Sequence, residues 1–160
     1  MSREFPEEYS DMIDKYGYMV MKVAPYPEIH NIHFAYSIGL WENFGHPEIV
    51  VFAFGDSLSH AIVHAISKFV SKGGRVEIDT PLHGIAPSPY IFKEVSKENF
   101  EEYLGFACLR YSSDFKCYQC FYPDRNGFFP WDSQYVDESD PQDGSQPSLE
   151  FPLLPSSEID

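Results

Sequence analysis

At 160 residues the chain has the size of one domain, and its 14 Phe, 11 Tyr and 2 Trp supply ample bulk for a core. Eleven Lys and Arg against 25 Asp and Glu give a formal net charge of −14, which argues against a nucleic-acid binder because phosphate binding needs cations to displace counterions. No stretch approaches the roughly 18 apolar residues of a bilayer span, the N-terminus lacks an apolar signal core, and three cysteines (Cys108, Cys117, Cys120) form no disulfide pattern, so a cytoplasmic protein with free thiols and no membrane contact is expected.

In chain order, Tyr9, Met12, Ile13 and Tyr16 fall at helical spacing, and Gly17 predicts the end of a short helix over 7–16. Tyr18 to Val23 reads as a strand, followed by a loop with Pro25 and Pro27. Phe34 to Leu40 and Ile49 to Phe54 are two further strands around a polar turn. The second is apolar on both faces, which places it at the sheet centre. Asp56 or Ser57 caps a long helix whose stripe is Leu58, Ala61, Ile62, Ala65, Ile66, Phe69 and Val70. His60, His64, Ser67 and Ser71 are expected on its polar face, and Gly73-Gly74 ends it. Arg75 to Asp79 alternates as a short strand, 80–89 is a Pro-rich loop, and Tyr90 to Val95 is a strand. Ser96 caps a second long helix with Phe100, Tyr103, Leu104, Ala107, Cys108 and Tyr111 on one face. Cys117 to Tyr122 is the last strand, and Pro123 to Gly127 is a turn.

Three strands before the first long helix predict an α+β fold: a mainly antiparallel sheet carrying two long amphipathic helices, a short N-terminal helix and an irregular acidic C-terminal tail. Residues 1–151 are expected to form one domain and 152–160 a flexible acidic extension. Residues 128–160 contain eight acidic side chains and no Lys or Arg, a composition that resists folding alone.

His60 and His64 stand one helical turn apart, a spacing that can chelate a metal, but no third ligand follows at a recognised spacing. They read as solvated histidines, and no stoichiometric metal or other cofactor is indicated. Cys117 and Cys120 have Cys-x-x-Cys spacing, yet on a strand they point to opposite faces, which makes them structural. No nucleophile elbow, phosphate loop or dinucleotide fingerprint is present. The candidate ligand-binding set is distributed: Tyr36 and Ser37 on one strand, His46 and Glu48 at the turn, then Gln119, Asp124 and Trp131, polar and aromatic groups near strand ends, with Gln146 from the C-terminal segment. The competing reading is that these groups satisfy the backbone at turns.

The same residues carry a family resemblance. Phe34-Ala35-Tyr36-Ser37-Ile38-Gly39-Leu40 with His46-Pro47-Glu48-Ile49, the run Gln119 to Trp131, and Gln146-Pro147 resemble, in order, three signatures of the bacterial domain-of-unknown-function family 4262. Tyr122 stands where many relatives have an aliphatic residue or Trp. The resemblance runs from about Tyr16 to Phe151 and implies a small soluble protein. It brings no established activity, catalytic residue or cofactor.

Two functions follow as expectations. The first is a binding or regulatory module that takes a protein partner or a small polar ligand. The second is a small enzyme acting on a polar metabolite, with His46 or Glu48 as the acid–base group. Gln146 to Phe151 is expected to fold back onto the sheet end and shield Trp131. Truncation after Ser133, in a Trp41→Phe background, should then lower the melting temperature and red-shift the Trp131 emission. Unchanged values of both would show that the tail does not close the site.

Overall fold

A computed structural model describes residues 4–23, 33–53, 56–124 and 126–134. The Pro25–Pro27 loop, Phe54, Gln146 and residues 152–160 lie outside the described residues. The N-terminal helix α1 spans Glu7–Tyr16 and buries Ile13. Gly17 ends it at φ 91°, where its N–H donates to the Ile13 carbonyl at 2.7 Å.

Five strands form one sheet: β1 Met19–Val23, β2 His33–Ile38, β3 Glu48–Ala53, β4 Ile91–Glu94 and β5 Cys117–Phe121. Their order is β1-β2-β3-β5-β4, with only β3 and β5 parallel. β3 is the central strand, as its two-sided apolar run requires, and Ile49, Val50, Val51 and Phe52 are at most 1 % exposed. The even-numbered residues Phe34, Tyr36, Val50 and Phe52 pack with Ile13, Phe100, Leu104 and Ala107 on one face. The odd-numbered Ala35, Ile49 and Val51 pack with Ile62, Val63, Ile66 and Val70 on the other. Cys117 joins the first cluster and Cys120 the second, the opposite-face placement that strand geometry dictates.

The first long helix, α3, spans Asp56–Ser71; the one-turn helix α2, Leu40–Phe44, precedes it. The buried stripe of α3 differs from the expected one. Ser59, Ile62, Val63, Ile66, Ser67 and Val70 are buried, while Leu58 is 46 % exposed. The helix is thus turned by about one residue, and Ser59 and Ser67 take sheet-facing positions where their small side chains suit close packing. Ser67, placed by its polarity on the solvent face, is fully buried.

Four other expectations are corrected. Leu40 leaves the strand and begins α2. Arg75 to Asp79 forms no strand, and only Ile78 makes an isolated bridge, to Phe92. The second long helix is three short pieces: a 3-10 turn Lys97–Asn99, α4 Phe100–Tyr103 and α5 Gly105–Tyr111. The break falls at Leu104, at φ −119° and ψ 44°, immediately before Gly105, a residue with little helical preference. Phe100, Leu104 and Ala107 all enter the core. Ser96 makes no capping bond to the backbone, and its hydroxyl reaches Glu98 instead. Among the described residues no helix is long and apolar enough to cross a membrane.

Ile66 is fully enclosed between α3 and the sheet. Ile66→Ala is expected to cost on the order of 2–5 kcal/mol in denaturant unfolding. A loss below about 1 kcal/mol would show that this stripe is not core.

Candidate functional site

Glu48 opens β3 with a carboxyl group that is fully buried. The chain places donors around it. Gly39, at φ 124°, has no room for a side chain: a Cβ there would lie 2.6 Å from the Gly17 carbonyl oxygen. This tight passage starts α2, whose first backbone N–H groups have no partner inside the helix. Gly39 and Trp41 donate to Glu48 Oε2 at 3.0 and 3.1 Å, and Leu40 donates to Oε1 at 3.3 Å. Ser37 Oγ donates to Oε1 at 2.6 Å while accepting from the Ile49 N–H at 2.9 Å. Tyr111 Oη donates to Oε2 at 2.9 Å. Burial pushes the Glu48 carboxyl up to about 7, against the opposing pull of its donors. The Tyr111 hydroxyl is raised well above its ordinary value, first by burial and then by the Glu48 charge.

The other end of α2 is also held. Arg75 donates to the Phe44 and Gly45 carbonyls, each at 3.1 Å, placing a cation where a helix C-terminus favours one. His46 is buried beside it. Its Nδ1 bonds the Pro47 carbonyl at 2.8 Å, which fixes the ring proton there, and its Nε2 accepts from the Val76 N–H at 3.0 Å. Burial lowers its pKa, so it rests as a neutral latch. Arg110 grips Glu42 with two nitrogens and reaches Ser10 with a third at 2.9 Å, tying α5 to α2 and α1. That contact is the first cause of the lowered Glu42 pKa.

The remaining candidates lie elsewhere. Tyr36 Oη accepts from the Phe106 N–H at 3.1 Å and positions α5. Asp124 Oδ1 accepts from Asn126 and Phe128 N–H groups at 2.8 and 2.9 Å and shapes the 124–128 turn. Trp131 stacks on Phe129 and meets Phe121 edge-on, with Lys93 Nζ 4.6 Å from its ring centre. Gln119 sits in the cross-strand row Tyr36–Val50–Gln119–Lys93, fully buried, and neither amide atom has a partner among the described residues. The fold therefore joins Ser37 to Glu48 directly, while His46 bonds to Pro47 and Val76 and not to Glu48.

A different concavity is present. A groove of about 480 Å³ crosses the outer edge of β1, from α1 on one face of the sheet to α3 on the other. Met12, Met19 and Val20 form an apolar floor, flanked by Tyr16 and Tyr18. His60, His64, Lys68 and Ser71, with Lys72 in the turn after the helix, supply the α3 wall. Tyr18 Oη lies 3.1 Å from His64 Nδ1, and the two imidazoles stack at 6.2 Å. The sequence signal for this place was the His60–His64 spacing; its apolar half comes from elements 40 residues or more away. No group of three or more His, Cys, Asp or Glu is placed to hold a metal ion among the described residues.

Residues 12–136 match the family described as Domain of unknown function (DUF4262). The chain belongs to the DUF4262 family. The match takes in β1 to β5, the Glu48 cluster, Trp131 and every residue lining the groove. No curated protein and no solved structure matches the chain.

The raised Glu48 pKa sets a pH dependence. Below its ordinary value of 4.5 the carboxyl is protonated whether the chain is folded or not. Between 4.5 and about 7 the folded chain keeps a proton that the unfolded chain has lost, so stability falls as pH rises. The fall amounts to about 3 kcal/mol and is complete above pH 7. In Glu48→Gln this component should vanish, so the wild-type-minus-variant stability, measured by denaturant melts from pH 4 to 8, should decline across that window. A flat difference would contradict the assignment.

Proposed function

We propose that the protein is a binding module whose small ligand seats in the groove across the edge of β1. The carrying observation is the groove itself: an apolar floor with convergent hydroxyl, imidazole and ammonium groups along one wall, in the size range of small-molecule pockets. The sheet-end residues support this reading from the other side. Five donors surround the Glu48 carboxyl, and both His46 nitrogens are engaged in holding Val76 and Pro47. Their hydrogen bonds do structural work, which favours a binding role over the enzyme reading.

That enzyme reading draws on one observation, the Glu48 pKa near 7, which is the range of a general base. Its oxygens are directed at backbone N–H groups and two hydroxyls, and it is wholly enclosed. We rank it second.

A thermal-shift panel of small amphipathic compounds on the full chain tests the proposal. A ligand at about 100 times its Kd stabilises by about 2.7 kcal/mol, which raises Tm by about 5–10 °C at this size. Val20→Trp, which fills the groove floor, should abolish the shift while leaving the unliganded circular dichroism unchanged. Shifts that persist in Val20→Trp, or none with any compound, would remove the groove as the site.

A further inference from the structure

Resting on that reading of the groove, we infer that its ligand is a small anion with an apolar body, such as an arylalkyl carboxylate. The chain carries −14, yet no Asp or Glu lines the groove. His60, His64 and Lys68 on α3 and Lys72 in the turn that follows it recur at every fourth position, and the Lys72 N–H still donates to the Lys68 carbonyl, so the four make one slowly turning row beside the apolar floor.

Lys68 and Lys72 differ from Arg110, Lys93 and Arg75. Arg110 is paired with Glu42, Lys93 with Asp79, and Arg75 with the carbonyls of Phe44 and Gly45. Among the described residues neither Lys68 nor Lys72 has an ion-pair partner. Two lysines that line the same groove as Met12, Met19 and Val20 offer a head-and-body arrangement, with the charged end at the α3 wall and the apolar end across the β1 edge.

Tyr18 orients the second kind of donor. When its hydroxyl donates to His64 Nδ1, the ring proton sits on Nε2, which then presents an N–H to a ligand oxygen. A carboxylate accepts from both an ammonium and this N–H. A cationic ligand meets two lysines and no carboxylate in the lining, and a neutral one leaves the lysines without a counter-charge. A planar apolar body also suits the rings of Tyr16 and Tyr18.

The test uses three probes with one body and different heads: 4-phenylbutyrate, 4-phenylbutanol and 4-phenylbutylamine, titrated into the full chain by NMR. The carboxylate is expected to bind at least tenfold tighter than the alcohol, and the amine weakest. Lys68→Gln/Lys72→Gln should erase the carboxylate's advantage while leaving the alcohol's affinity unchanged, a result that loss of folding would not give. If the alcohol binds as tightly as the carboxylate, the inference is overturned while the groove remains a binding site for a neutral ligand. Tightest binding of the amine also overturns it. If no probe binds and the panel above gives no Val20→Trp-sensitive shift, the groove reading falls as well. Self-association that Val20→Trp abolishes would assign the groove to a second copy and overturn the small-anion inference.

Discussion

A carboxyl group buried at the start of the central strand organises the turn around it. Glu48 collects donors from the end of β2, the first turn of α2 and the last turn of α5. An isolated charge in that place would carry a large desolvation cost, and unpaired N–H groups would carry their own. Each need answers the other. A five-residue helix is too short to persist by itself, so α2 exists because its start is capped by Glu48 and its end by Arg75. Gly39 makes the arrangement possible, since any side chain would strike the Gly17–Tyr18 backbone.

Much of the fold was legible in the sequence. The two-sided apolar run of β3, the Gly17 stop and the opposite-face cysteines each follow from a period that the chain cannot hide. The misses have separate causes. The α3 stripe was placed by polarity, but Ser59 and Ser67 are small enough to face the sheet, so size outweighed polarity. The helix over 100–111 had an unbroken apolar period, which outweighed the one local signal of the break at Leu104, the following Gly105. Arg75 to Asp79 alternates like a strand, but His46 holds Val76 by its N–H, which draws that segment toward the turn after α2.

The candidate site was legible in chemistry and not in role. Ser37 and Glu48 were singled out together and do touch, yet the contact closes a turn, as polar groups beside Gly and Pro commonly do. Asp124 has the same explanation. Gln119 differs, because its buried amide finds no partner among the described residues. The groove was invisible in one dimension: α1, β1 and α3 meet only because β1 is the outermost strand and the two helices cover opposite faces.

The sheet also divides the thiols. Cys117 and Cys120 lie three strand residues apart, about 10 Å along the chain, beyond the roughly 7 Å limit for a bridge. Each is sealed in a different half-core, and burial raises both thiols well above their ordinary pKa. Neither reacts until its own layer opens. The molecule therefore carries two internal clocks: modification of Cys117 times the opening of the layer that holds Phe100 and Leu104, and modification of Cys120 times the opening of the layer that holds Phe92 and Tyr90. Whether the two layers unfold as one cooperative unit is written in whether those clocks keep the same time.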